Sequence, residues 1–389
     1  MVVIFEFLGQ EPIENVITCM HYPVDKVVYF GYQDTIKLLR DSTNSFLTKY
    51  CGVNQTEYHT MPKDELSTVY SEMQKAIEQE LAHNNQVYFD ITGGESLILV
   101  AFGMLAKEFG LPMHHFDVPK NQLIELHKVE GENISEKLKE RKINFTLNSY
   151  IELRGGKINI DKQKDVRKIE ASDRDADVKA LGSVVRRQWT YWNVFSGFMR
   201  ENATKTVDLS LNLTGDEVRK VLKHPKFGAL SYDKIKEIVE QLKNVGLLIN
   251  VGYKDGGLKF QYKNLFAKES IWDGGSILEM LVYQGEKKKA PECMIGVHID
   301  WDGEIHYQTG GDVLNEIDVL TLNGNIPTFI SCKSGKMDGN KVLPVLYELE
   351  TIAKRFGGKY SKKVLVLTSE IGAVYKERAV EMGIEIRYM

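Results

Sequence analysis

Two short stretches near the end of the chain, Asn315-Glu316-Ile317-Asp318-Val319 and Ile330-Ser331-Cys332-Lys333, set acids and a lysine at alternate positions of what read as adjacent strands. Alternate side chains of an extended chain share a face. Glu316 and Asp318 are therefore expected to point one way and Ile317 and Val319 into the core, with Ser331 and Lys333 likewise opposite Ile330 and Cys332. A carboxylate can hold a hard divalent cation. An ammonium beside it can orient an attacking water and offset the charge that develops on a phosphate. That combination suits metal-dependent phosphodiester hydrolysis. Alone, an aspartate and a lysine on neighbouring strands are more often a surface salt bridge, so the surrounding elements decide the matter.

The segment Asp273-Gly274-Gly275-Ser276-Ile277-Leu278-Glu279-Met280-Leu281-Val282 reads as a helix starting near Asp273, with Glu279 a lone acid among apolar residues. A buried acid needs a partner or a metal. After it come the Asp318 strand, a hairpin turn at Asn323-Gly324-Asn325, the Lys333 strand, a helix from about Pro344 to Phe356, and a strand from Lys363 to Thr368. This order resembles the restriction-endonuclease-like, PD-(D/E)xK core. The resemblance implies Glu279, Asp318 and Lys333 as catalytic residues, with Glu279, Asp318 and the Cys332 carbonyl as ligands of Mn2+ or Mg2+. One position departs from the motif: the residue two before the lysine is usually acidic, and here it is Ser331. Glu279, Glu316, Glu348 and Glu350 are the acids that could supply the missing carboxylate.

At the other end, residues 1–145 alternate short apolar runs with amphipathic stretches, the pattern of a parallel sheet with helices on both faces. Strands are expected over Val2 to Leu8, Lys26 to Phe30, Gln86 to Ile91 and Met113 to Phe116. Ligands of such sheets bind beyond the carboxyl ends of the strands. Two strand ends stand out: Gly9-Gln10-Glu11-Pro12, and Thr92-Gly93-Gly94-Glu95-Ser96 leading into a helix from Leu97 to Phe109. Two glycines there let backbone amides approach an anion at a helix N-terminus, with the Thr92 and Ser96 hydroxyls as further donors. Neither a Walker lysine nor GxGxxG is present, so no signature of nucleotide hydrolysis or dinucleotide binding appears.

Asp90-Ile91-Thr92-Gly93-Gly94 resembles the signature loop of CRISPR-associated Rossmann-fold (CARF) domains. Together with the nuclease-like tail, the whole chain is similar to the CARF-plus-nuclease effectors of type III CRISPR systems. The resemblance implies a homodimer activated by cyclic tetra-adenylate, bound through Gly9, Gln10, Thr92, Gly93, Gly94, Glu95 and Ser96, and cleavage of single-stranded DNA, RNA or both. The family often carries a lysine two residues after the second glycine, where this chain has Ser96.

The middle, residues 146–265, reads as a hairpin (Tyr150 to Arg154, turning at Gly155-Gly156 into Lys157 to Ile160), a long helix from Asp173 to Glu201, and a helix (Tyr232 to Asn244) followed by a strand pair that resembles a winged helix. The long helix carries Arg186, Arg187, Trp189, Tyr191 and Trp192; such a stripe more often packs an interface or core than stacks on bases. No strongly basic recognition helix is evident, which favours a connector over a DNA-binding module. Residues 266–389 then form the nuclease-like domain. The expected fold class is α/β in three parts: Rossmann-like, winged-helix-like and restriction-endonuclease-like.

The length, 389 residues, suits more than one domain, and 43% hydrophobic content is enough for substantial cores. A net charge of −4 gives no global sign of nucleic-acid affinity, so any such surface must be local; from Lys333 to Met389 eleven basic residues stand against seven acidic ones, which supports a nuclease only weakly. Four cysteines without a CxxC pair argue against a disulfide framework or structural zinc. The apolar start reads as a buried strand, and the expected location is the cytoplasm, away from membranes. Two competing readings remain: a ligand-responsive winged-helix transcription regulator with a degenerate nuclease fold, and a first domain that itself degrades its ligand.

Overall fold

The computed structural model describes residues 1–127, 143–160, 172–202, 208–304 and 314–389. The first domain runs β1 (Val2–Phe7), α1 (Ile17–His21), β2 (Lys26–Gly31), α2 (Gln33–Phe46), β3 (Gln55–Thr60), α3 (Leu66–Ala82), β4 (Gln86–Asp90), α4 (Ser96–Phe109), β5 (Met113–Asp117) and β6 (Gln122–His127). Its strands lie in the order β3-β2-β1-β4-β5-β6, parallel except for β6, which pairs antiparallel with β5. The expected strands are all present. The unexpected β3 (QTEYHT) and β6 (QLIELH) are the two edge strands, whose polar composition hides them from a search for apolar runs.

Central strands are apolar on both faces, as buried parallel strands must be. Val3, Phe5, Val28, Phe30 and Phe89 pack with Met73, Ile77, Ile98 and Phe102 of α3 and α4. On the other face, Ile4, Val27, Tyr29 and Tyr88 join a core that continues through Phe145, Leu147 and Tyr150 into Phe329, Leu346, Leu349 and Phe356 of the C-terminal domain. The two ends of the chain are thus packed against each other by one apolar core.

The hairpin expected over Tyr150 to Ile160 does not form. Residues Leu147–Leu153 are a helix, α5, and only Lys157–Ile158 are extended, as β7. A capping box decides it: Thr146 Oγ1 accepts the Ser149 N–H, and Ser149 Oγ accepts the Thr146 N–H. Leu147, Tyr150 and Ile151 then share one buried face. β7 pairs with a strand of the C-terminal sheet instead.

The long helix is α6 (Ser172–Asn202), interrupted by non-helical backbone at Gln188. Its Val184, Val185, Trp192, Phe195 and Phe198 are buried, and Trp189 and Tyr191 pack half-buried against the same core, so the aromatic stripe faces inward. β8 (Ser210–Leu213), α7 (Gly215–Leu222), α8 (Tyr232–Asn244), β9 (Leu248–Gly252) and β10 (Leu258–Tyr262) follow, with the sheet order β8-β10-β9 of a winged-helix-like module. On α8, Lys234 and Lys243 pair with Glu237 and Glu240 of the same helix. Helix α9 (Leu265–Trp272) leads to the last domain.

That domain comprises α10 (Ser276–Glu286), β11 (Glu292–Asp300), β12 (Leu314–Asn323), β13 (Ile326–Lys333), α11 (Gly339–Gly357), β14 (Lys362–Leu367), α12 (Ala373–Glu381) and β15 (Ile384–Tyr388). The mixed sheet runs β15-β14-β13-β12-β11-β7. The β12–β13 hairpin turns at Gly324, whose φ of 59° favours a glycine. Residues of α10 pack with Ile330, Cys332, Val364 and Val366, and residues of α11 pack with Leu320, Phe329, Leu365 and Leu367. Among the described residues no helix is long and apolar enough to cross a membrane.

Candidate active site and ligand loop

The β12–β13 ladder runs from Asn323↔Ile326 to Val319↔Ile330 and then stops. At the next position the strands part, and the Asp318 carboxylate occupies the fork. Its Oδ2 accepts the Cys332 N–H at 2.6 Å, the Ser331 hydroxyl at 3.1 Å and the Lys333 ammonium at 3.3 Å. On the opposite side of β12, the β11 ladder skips the Gly296–Asp318 pair, and Gly296 has φ 59°. This irregularity breaks the alternation expected from sequence. Ile317 joins the core on the α11 side while Val319 joins the one packed by α10.

A cavity of about 90 Å3 opens beside this fork, lined by Glu316, Asp318, Ser331, Lys333 and Glu348 together with apolar residues of α11. Asp318 is buried, Lys333 half-buried, and Glu316 and Glu348 exposed. Of the acids considered for the position that Ser331 vacates, Glu316 and Glu348 line the cavity. Glu350 instead pairs with Lys363. Glu279 is half-buried in the first turn of α10, and it does not line the cavity.

Oxygen donors of this kind fit a hard divalent cation, and the cavity has room for an ion with waters. All three donors reach Asp318 Oδ2 and none of them Oδ1. Among the described residues no three His, Cys, Asp or Glu side chains converge closely enough to hold an ion by themselves. The set therefore suits Mg2+ or Mn2+, which commonly keep waters and are completed by substrate phosphate, better than a closed structural metal.

Asn193 of α6 reaches the same region. Its amide donates to the Ser334 carbonyl at 3.2 Å and accepts the Ser334 hydroxyl at 3.2 Å, one residue beyond Lys333. A Cβ on Gly274, just before the helix of Glu279, would lie 2.7 Å from Asn193 Oδ1. One side chain therefore abuts the loops that flank both halves of the proposed site. Nothing in a 141-residue sequence separation could have pointed to it.

In the first domain, β1 and β4 are neighbours from which the chain winds in opposite directions, the switch point where such sheets bind ligands. The two loops singled out from sequence, after Phe7 and after Asp90, both leave from it. Their residues divide into supporting and accessible groups. Gly9 exchanges both backbone hydrogen bonds with the Asn15 side chain at 2.9 Å. Thr92 is buried; its hydroxyl donates to Asp90 Oδ1 at 2.5 Å and accepts the Phe116 N–H at 2.8 Å. Asp90 in turn takes the Thr18 hydroxyl at 2.5 Å and lies 3.3 Å from His114 Nε2. Burial alone would raise the Asp90 carboxyl, but His114 and the Thr18 and Thr92 hydroxyls outweigh it and hold it below the usual aspartate range.

Gln10, Gly94, Glu95 and Ser96 are exposed, and Ser96 begins α4. Gly94 has φ 154°, and a Cβ there would strike Leu99. Only glycine tolerates that backbone. The turn thus presents amides and one hydroxyl on a rigid base, suited to an anion. Lys63, exposed at the end of the neighbouring β3 connection, lies over the Tyr32 ring beside this mouth and was not singled out from sequence.

The fold is that of a CARF-type Rossmann domain joined to a restriction-endonuclease-like domain through a winged-helix-like module. Comparison with solved structures agrees over the whole chain. Protein VC1899 from Vibrio cholerae superposes with a TM-score of 0.73 at 16% identity, covering 100% of this chain and 94% of that one. Can2 from Sulfobacillus thermosulfidooxidans, solved in complex with cyclic tetra-adenylate, superposes with a TM-score of 0.64 at 16% identity, covering 99% and 92%. A type III CRISPR defence DNA nuclease activated by cyclic oligoadenylate reaches a TM-score of 0.50 at 14% identity, covering 95% of this chain and 46% of that one. No protein-family model and no curated protein matches the sequence.

Proposed function

We propose that this protein is a nuclease of type III CRISPR defence, activated by cyclic tetra-adenylate bound at the Gly94–Ser96 turn, that cleaves single-stranded DNA, RNA or both with Mn2+ or Mg2+. The observation that carries the proposal is the fork at Asp318, where a carboxylate, a lysine and two further acids share one cavity in a chain that superposes end to end on cyclic-tetra-adenylate-bound Can2.

Asp318 and the Cys332 carbonyl would hold the metal, with Glu348 or Glu279 as the second carboxylate. A bound cation supplies charge for the phosphate and a more acidic water. Lys333 would orient the attacking water and offset the charge that develops on the phosphate; Ser331 and the Cys332 N–H fix the Asp318 rotamer against the strand. A homodimer fits the first domain. Val100 and Met104 are exposed one turn apart on α4, next to the ligand turn, and a symmetric ring suits a site on a two-fold axis.

The test is cleavage of labelled single-stranded DNA and RNA with Mn2+, with and without cyclic tetra-adenylate. Cleavage should require the activator and be lost in Asp318→Ala and Lys333→Ala, both of which should still bind it. Cleavage retained by both variants would falsify the assigned site. Sequence-specific duplex binding without cleavage would favour the regulator reading, against which the self-paired lysines of α8 already count. Metal-free consumption of the ring would favour degradation in the first domain.

A further inference from the structure

Glu14 links the ligand turn to the C-terminal domain. A Cβ on Gly93 would lie 2.9 Å from Glu14 Oε2, so Glu14 stands against the turn. Its other oxygen accepts the Tyr360 hydroxyl at 2.6 Å and pairs with the Lys359 ammonium. Three residues earlier, Glu11 accepts the Lys359 N–H at 3.0 Å and pairs with the buried Arg154. Lys359 and Tyr360 directly follow α11, the helix that brings Glu348 to the nuclease cavity. Glu14 is only 7% exposed, whereas the Lys359 side chain is 57% exposed and lies over the Tyr360 ring.

We propose that Lys359 is a phosphate contact for the anionic ring and that Glu14 is its partner when the site is empty. The inference rests on the cyclic-oligoadenylate reading above. A phosphodiester at Gly93 to Ser96 brings a second anion beside the Glu14 carboxylate, and like charges at that distance repel. The ammonium passes from carboxylate to phosphate and relieves both. The C-terminal domain thereby supplies the cation that Ser96 cannot. Because Lys359 sits at the end of α11, ring binding favours one placement of that helix over another, which is the differential contact a ligand-driven switch requires.

The experiment measures binding of fluorescein-labelled cyclic tetra-adenylate to the full chain by anisotropy, with thermal unfolding recorded for each variant. Lys359→Ala should raise Kd about tenfold, the effect of one lost charge-assisted hydrogen bond. Lys359→Arg should stay within about threefold of wild type, because the charge is kept. Glu14→Gln should lower Kd, since the competing carboxylate is gone, and should raise cleavage in the absence of activator. An unchanged Kd in Lys359→Ala, or a Glu14→Gln that weakens binding as Lys359→Ala does, overturns the inference alone. A wild-type chain that binds no cyclic oligoadenylate overturns the ligand reading and this inference with it.

Discussion

Cys332 donates its backbone N–H to Asp318 Oδ2 at 2.6 Å, across the point where β12 and β13 stop pairing. A ladder bond is replaced by a bond to a side chain, which fixes the carboxylate before any metal or substrate arrives. The Ser331 hydroxyl, 3.1 Å from the same oxygen, completes this arrangement. Ser331→Ala should therefore lower kcat about fivefold with little change in KM, since one such hydrogen bond contributes about 1 kcal/mol. Ser331→Asp should lower the Mn2+ concentration for half-maximal cleavage. Steady-state kinetics over a metal titration checks both; a Ser331→Asp variant needing more metal would refute the account of the departure.

The second carboxylate can be located by the same titration. Glu348 lines the cavity and Glu279 does not, so Glu348→Gln should raise the half-maximal Mn2+ concentration at least about tenfold, in line with the loss of a ligand or its close support. Glu279→Gln should have the smaller effect. The reverse order would assign the position to α10.

Asn193 abuts both the Gly274 loop and the Ser334 loop. Replacing it with alanine should reduce kcat about tenfold, since about 1.4 kcal/mol of misplacement gives that factor, while leaving cyclic tetra-adenylate binding unchanged. Loss of both together would mark Asn193 as a general fold residue instead.

Glu6 gives the first domain a pH dependence. It is buried beside Asp90, and Tyr29 spends its only proton on the Asn15 carbonyl at 2.6 Å. Burial first, and then the Asp90 charge, push the Glu6 carboxyl well above the usual range. The folded state then binds more protons than the unfolded one between the ordinary glutamate value and the raised one. Stability from this group is complete below that interval and declines as pH rises through it. Glu6→Gln should melt with wild type at pH 4.5 and above it at pH 8 by scanning calorimetry. An equal difference at both values would show that Glu6 is already ionised.

Sequence reading reached Asp318 and Lys333 because strand alternation and a Gly-Asn turn are local signals, carried within twenty residues. The Gly93-Gly94 turn was legible for the same reason. Two kinds of information were not. The hairpin expected at Tyr150 yielded to a capping box that sequence alone would also allow as a turn, and β11 was passed over because Gly296 interrupts its apolar pattern. Contacts such as Glu14 with Tyr360, 346 residues apart, have no sequence signature at all. Thr92 shows a subtler limit: its type and place suggested a ligand donor, but in the fold its hydroxyl supports Asp90 and β5.

Strand β7 supplies the outer edge of the C-terminal sheet from Lys157–Ile158, upstream of α6 and the winged-helix-like module. The C-terminal domain is therefore threaded through the chain twice. A chimera that exchanged only the segment after residue 265 would leave that strand behind and uncover the Ile299–Asp300 end of β11, lengthening an edge whose unpaired backbone invites aggregation. Any transplant of this domain onto another protein must carry residues from about 145 onward, and with them Arg154, which Glu11 holds.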